Sequence, residues 1–123
     1  MENSEGYYVD IFDKELWYVE LSISPTDAIG HEQMKKRPCL VIKANPSVKL
    51  ATIIPLTSQA KTLKFPYTIF IPKTDHNCLE IDSIGLVFQI RSLSFVRFRK
   101  FIGEIENEVF EKIKILIRDY FEL

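Results

Sequence analysis

The chain has 123 residues, sixteen basic and seventeen acidic side chains for a formal charge of -1, and a composition that is 46% hydrophobic, 12% aromatic and 27% charged. That length accommodates one domain, and that composition excludes a disordered or collagenous chain. The near-neutral total argues, at first sight, against a nucleic-acid binder, whose phosphate contacts rest on lysine and arginine.

Along the chain the charge is far from even. Residues 1–32 hold eight acids and one base, whereas residues 33–64 hold seven bases and no acid. Residues 65–103 carry five bases against three acids, and the last twenty carry six acids against three bases. A basic middle is therefore flanked by acidic ends, and the total conceals a strongly dipolar sequence. Residues 1–15 read as an acidic N-terminal extension, a tail or an extra edge strand placed where it could fold across the basic middle. Residues 16–123 read as a single domain.

Proline punctuates short runs rich in β-branched and aromatic residues, which predicts strands over 16–21, 39–43, 51–56, 67–71, 84–88 and 98–102, with a further one over 90–95. Within the last part of this region Phe95, Phe98 and Phe101 interleave with Arg97, Arg99 and Lys100. Such a pattern suits base stacking, but it is also the alternation of a half-buried strand, which is the reading we adopt. From Val109 the apolar positions Val109, Phe110, Ile113, Leu116, Ile117, Tyr120 and Phe121 form the stripe of an amphipathic helix. Glu106, Asn107 and Glu108 stand at its start, where a side-chain cap and negative charge suit the exposed N–H groups. The expected architecture is α+β, a small, mostly antiparallel sheet with one C-terminal helix, and its edges must be hidden by closure into a barrel or by a second copy.

Cys39 and Cys78 are too few and too far apart for a disulfide framework or a CxxC site, and read as free thiols. The start of the chain lacks a basic region followed by an apolar run, and no stretch approaches the roughly 18 apolar residues of a membrane span, so the expectation is a soluble, cytoplasmic protein without membrane contact. His76, between Asp75 and Asn77, reads as part of a structural turn.

Three polar segments adjoin predicted strand ends, where loops present binding and catalytic groups. They are Gly30-His31-Glu32-Gln33-Met34-Lys35-Lys36-Arg37-Pro38, Pro55-Leu56-Thr57-Ser58-Gln59 and Gln89-Ile90-Arg91-Ser92. The first places a histidine, a carboxylate and an arginine within seven residues. Arginine's planar fork of donors suits a phosphate and the added negative charge of a five-coordinate phosphorus transition state. A threonine hydroxyl can hold a nonbridging oxygen. RNA carries its own nucleophile, so its cleavage needs a base for the 2′-hydroxyl, an acid for the leaving 5′-oxygen and donors for the phosphate, and no metal or other cofactor. Zinc spacing, HExxH, a calcium loop, a GxSxG elbow, a P-loop and a dinucleotide fingerprint are all missing from the sequence.

The ordered motifs GHEQxxxRP, PLTSQ, QIRSL and FIGEI, ahead of an amphipathic helix, resemble the MazF/PemK/Kid family of toxin endoribonucleases over roughly residues 16–121. That resemblance implies an SH3-like barrel, a symmetric homodimer, an antitoxin partner and metal-independent cleavage of single-stranded RNA to a 2′,3′-cyclic phosphate and a 5′-hydroxyl. It makes Arg37 the acid or transition-state stabiliser and Thr57 a phosphate ligand. His31, Glu32 and Gln33, with the neighbouring Lys35 and Lys36, match the first loop that shapes the site and touches RNA. Ser58 and Gln59 accompany Thr57, and Gln89 and Arg91 support the site from the third motif. Family members commonly carry an acid before the glutamine of that motif and, in one branch, an arginine two residues earlier, where this chain has Phe88 and Leu86. The base is then Glu32 or His31, or the chain follows the branch that relies on Arg37 and Thr57. Two other readings stay open: a binding module of this fold that has lost cleavage, and a toxin that poisons DNA gyrase as CcdB does.

Overall fold

A computed structural model of the chain describes residues 9–21 and 36–123. Seven strands precede one helix: β1 Glu15–Glu20, β2 Lys36–Asn45, β3 Leu50–Thr57, β4 Thr68–Ile71, β5 Ser83–Leu86, β6 Arg91–Ser94, β7 Phe98–Glu104 and α1 Asn107–Phe121. All of the ladders between them are antiparallel. The strand path runs β4-β5-β3-β2-β1-β7, and β6 pairs with β3 off this path. The predicted α+β class, with a mostly antiparallel SH3-like sheet and a C-terminal helix, is borne out. The barrel is open, because no ladder joins β4 to β7 among the described residues.

Period-two alternation divides the apolar residues between two cores. Trp17 and Val19, Cys39 and Val41, and Ala51 and Ile53 enter one core together with Leu93, Phe95 and Phe98. Their neighbours Leu16, Leu40, Ile54 and Leu56 enter the other, where Ile71, Val87 and Ile105 meet Phe110 and Ile113 of α1. With both faces covered, β2 and β3 need no polar alternation, which accounts for runs such as Leu40-Val41-Ile42 and Ile53-Ile54. Each such side chain stabilises the fold by about 1.5–3 kcal/mol. Phe95 and Phe98 are core residues, and Phe101 packs edge-on against Trp17 at 5.7 Å; the strand reading holds from Phe98 onward, whereas Phe95–Arg97 form a 3-10 turn between β6 and β7.

β3 sits at the centre because it changes partners. Leu50–Ile53 pair with β6, while Leu56 and Thr57 pair with β5, and Pro55 lies at the joint. Changing sides also explains a correction to the predicted strand over 84–88. β5 ends at Leu86, and Val87–Gln89 form a 3-10 turn closed by Ile90 N–H to Val87 O at 3.1 Å. Apolar character continues through Phe88, but the chain must turn there to cross from β5 to β6.

The acidic extension expected over residues 1–15 is joined to the core from the start of its described part. Val9 and Ile11 are buried in the first core, in irregular chain rather than an edge strand. Asp13 accepts from Ala44 N–H at 2.7 Å, and Glu15 accepts from Phe12 N–H and Trp17 Nε1. These carboxylates hold the segment to β1 and β2 and do not reach across the sheet. Among the described residues no helix is long and apolar enough to cross a membrane.

At the other end, α1 follows its predicted stripe, with Phe110 and Ile113 buried and Val109, Leu116 and Ile117 packed beside them. The expected side-chain cap is not formed. Glu106 occupies the N-cap position, but its carboxylate instead accepts from Thr74 Oγ1 at 2.6 Å and Asn77 Nδ2 at 3.2 Å. Asn77 is fully buried in the turn that also contains His76; it accepts from the N–H groups of Thr74 and Leu79 and donates to Pro72 O. Gly103 passes so close that a Cβ there would lie 2.4 Å from the Asn77 carbonyl oxygen.

Burial pushes the Glu106 carboxyl up, but hydrogen bonds from Thr74, its own backbone N–H and Asn77, together with nearby His76, outweigh this, and its pKa falls below the usual carboxylate value. Its contribution to stability is present above the ordinary glutamate pKa of about 4.3 and is lost as pH falls below it. Two changes test this knot by denaturant unfolding at neutral pH. Asn77→Ala leaves two N–H groups and a carbonyl without partners and is expected to cost about 3 kcal/mol, and Gly103→Ala to be destabilising through a backbone clash. Glu106→Gln should flatten the loss of stability on acidification.

Candidate active site

β2 begins at Lys36 and β3 runs to Thr57, yet the last pair in their ladder is Cys39 with Pro55. Pro55 has no N–H to offer, nor has Pro38, the next residue outward on β2; because hydrogen-bonded and non-hydrogen-bonded pairs alternate, one of these two prolines removes a donor from the ladder where it ends. Extended by two residues, the same register sets Arg37 opposite Thr57. Between the separating ends lies an open cavity of about 240 Å³. Lys36, Arg37 and Pro38 line it from β2, Leu56 to Gln59 from β3 and beyond, Ile81 from the approach to β5 and Ser83 from its first position.

Arg37 and Lys36 are exposed, and on the other side their backbone is paired with β1 through Val19 and Glu20. The Thr57 hydroxyl accepts from Gln59 N–H at 3.2 Å, forming a turn that fixes the oxygen while leaving its O–H able to donate to an oxyanion. Ser83 is buried and spends its hydroxyl on Ile81 O. The cavity thus presents a guanidinium, an ammonium and hydroxyls, which is suited to a phosphate group.

Arg91 opens β6 opposite Ile53, on the sheet face that also carries Cys39 and Arg37. Burial pushes the Cys39 thiol up to about 12 even though the Arg37 and Arg91 guanidiniums both pull it down, so two of the three motifs converge around this sulfur. Gln89 is exposed in the 3-10 turn before β6, and neither it nor Arg91 lines the cavity. His31, Glu32, Gln33 and Lys35 lie outside the described residues. Of the predicted site residues, the structure therefore brings together Lys36, Arg37, Thr57, Ser58 and Gln59.

The unusual positions Leu86 and Phe88 fall elsewhere. Leu86 is buried in β5. Phe88 packs edge-on against Phe65 at 6.5 Å and lines an apolar groove of about 460 Å³ with Phe65, Pro66, Tyr67 and Tyr120. Sequence reasoning did not anticipate Ile81 and Ser83 as cavity residues. No local signal marks them, since they reach the site through the pairing of Thr57 with Ile84.

Fold and site together define a small SH3-like β protein with a cationic, hydroxyl-bearing cavity at its strand ends. Residues 13–121 match the family of PemK-like, MazF-like toxins of type II toxin-antitoxin systems, and the chain belongs to that family. The resemblance read from the motifs is thus borne out. Among solved structures, MazF from Deinococcus radiodurans superposes with a TM-score of 0.71 at 23% identity, covering 95% of this chain and 99% of that one. A chain of the MazE-MazF structure from the same organism gives 0.68 at 20% identity, covering 94% and 98%. A mycobacterial endoribonuclease in complex with its cognate antitoxin gives 0.69 at 14%, covering 93% and 97%. The sequence has no significant match among curated proteins.

The two thiols provide a test of the packing beneath Arg37. In the native protein at pH 8 a thiol reagent should modify exposed Cys78 and spare Cys39, with both reacting in denaturant. Because the folded Cys39 pKa lies above its unfolded value of about 8.5, its contribution to stability is complete below that pH and is lost as pH rises from there towards 12.

Proposed function

We propose that the chain is a cytoplasmic toxin endoribonuclease that cuts single-stranded RNA, messenger RNA in particular, at short sequences without a metal. The observation that carries this reading is the meeting of Arg37 and Thr57, twenty residues apart in sequence, at one cavity where a proline-ended ladder opens. The 2′-oxygen attacks phosphorus, the bond from phosphorus to the 5′-oxygen breaks, and the products are a 2′,3′-cyclic phosphate and a 5′-hydroxyl. A base accepts the 2′-hydroxyl proton and an acid supplies one to the leaving oxygen. Arg37 compensates the negative charge that develops on the phosphoryl oxygens or protonates the leaving oxygen, and Thr57 donates to a nonbridging oxygen.

Lys36 and Lys35 attract the RNA backbone, while Ser58, Gln59, Gln89 and Arg91 support the site or contact RNA. His31, Glu32 and Gln33 belong to the same constellation, and Glu32 or His31 is the base unless Arg37 and Thr57 suffice. Leu86 is buried and Phe88 is committed to the aromatic groove, which supports a base from outside the third motif. The likeness to MazE-MazF and to the mycobacterial endoribonuclease with its antitoxin supports a homodimeric toxin held by a cognate antitoxin. An acidic segment of that partner would suit the basic residues 33–64.

The protein, freed of antitoxin, should cut a long single-stranded RNA in the presence of EDTA. Arg37→Ala should lower the rate by about 3 kcal/mol of transition-state stabilisation, roughly a hundredfold or more, with an unchanged circular dichroism spectrum. Failure of the intact protein to cut any RNA would falsify the enzyme reading. Phe88 at the place of a family carboxylate is the observation that favours the second reading, a non-cleaving binder or a gyrase poison. Inhibition of DNA supercoiling by a chain that cuts no RNA would establish the latter.

A further inference from the structure

Arg37 and Lys36 carry the cavity's positive charge from strand residues that lack a ladder partner on the β3 side, since that ladder stops at Cys39 and Pro55. Among the described residues their backbone pairing is with the end of β1, where Val19 faces Arg37 and Glu20 faces Lys36. The position of the catalytic guanidinium therefore depends on how firmly the last residues of β1 are held. An unsupported strand end frays, and its carbonyl groups require partners.

Those residues are held by two arginines that serve neither core. Arg97 Nε donates to Glu20 O at 2.8 Å, and its Nη2 donates to Leu21 O. Arg99 Nε donates to Glu20 Oε1 at 2.8 Å, and its Nη2 stands 2.6 Å from the same oxygen. Arg99 Nη1 also donates to Val96 O at 2.8 Å, which ties the fork back to the turn before β7. The Arg99 and Glu20 side chains keep 24% and 18% of their exposure, so this pair is shielded from the screening that makes surface ion pairs weak. Arg97 thus spans two main-chain carbonyls with its fork, and Arg99 directs two donors at one carboxylate oxygen, so both hold the same strand end through charge-assisted bonds.

We propose that Arg97 and Arg99 are positioning residues for the reaction: by clamping Glu20 and Leu21 they hold the end of β1, and through the ladder pairs of Val19 and Glu20 they set Arg37 and Lys36 at the cavity. The proposal rests on the ribonuclease reading given above. Phe98, between the two arginines, is fully buried and faces Val19, so loss of an arginine head group leaves the core contact of β7 with β1 in place. What is lost at this strand end is the polar grip on Glu20 and Leu21, together with the Arg99 bond to Val96 O.

The test uses the full chain with Arg97→Gln, Arg99→Gln and Arg99→Lys. Single-turnover cleavage of an RNA is compared with binding of the same RNA made uncleavable by a 2′-deoxy sugar at the scissile position. The glutamine variants should cut at least tenfold more slowly while binding the uncleavable RNA within threefold of wild type, and Arg99→Lys, which keeps the charge but not the fork, should recover only part of the rate. Native-state hydrogen exchange gives a second readout. In the glutamine variants the amides of Glu20, Leu21, Lys36 and Arg37 should exchange at least tenfold faster, with those of Leu40 and Ile54 unchanged. Glutamine variants that cut at the wild-type rate would overturn the clamp while the ribonuclease reading stands. Exchange accelerated equally at Leu40 and Ile54 would overturn it too, by showing general loosening. A wild type that cuts no RNA overturns the ribonuclease reading itself and the positioning role with it.

Discussion

Pro38 and Pro55 impose the constraint on which the rest of the site depends. Neither has an N–H to give to a neighbouring strand; Pro55 belongs to the last pair of the ladder between β2 and β3, and Pro38 stands one residue beyond its end. A central pair of strands ordinarily continues until a turn, but here hydrogen bonding stops while both chains run on. The separated ends expose Arg37, Thr57 and the residues beside them to solvent and to one another. Pro55 also marks the place where β3 passes from β6 to β5, so the bend of the sheet and the opening of the cavity share one cause.

That opening is tolerable because the sheet is secured elsewhere on both faces. One core is covered by α1 and the other by β7 and the buried Val9 and Ile11. Away from the cavity, the buried polar side chain of Asn77 is satisfied and the end of β1 is held. Asn77 bonds Thr74, Leu79, Pro72 and Glu106, and Arg97 and Arg99 take up the end of β1. A phosphate site can then use side chains at strand ends whose own backbone is weakly paired, provided neighbouring strands hold them.

The charge distribution takes on a spatial meaning in the same way. Lys36, Arg37 and Arg91 belong to strand starts near the opening, whereas Asp13, Glu15 and Glu20 are spent on β2, on the turn before β1 and on β7. The formal charge of -1 thus includes cations near the cavity and acids committed to the scaffold, and says little about whether the cavity attracts an anion.

Local chemistry made several features legible in the sequence: the stripe of α1, the positions of the seven strands, the turn around His76 and the motif order that carries the family. Periods of 2 and 3.6 and the phosphate preference of arginine are properties of neighbouring residues, so they survive without a fold. What remained hidden depended on pairing between distant segments. The end of β5 at Leu86, the arrival of Ile81 and Ser83 at Thr57, the burial of Val9 and Ile11 and the commitment of Phe88 to an aromatic groove each follow from which strand lies beside which. By itself the sequence determined the chemistry available, a guanidinium, an ammonium and hydroxyls beside two prolines. Tertiary structure alone decided that these meet, because antiparallel register places residues opposite one another according to where the ladder begins and ends.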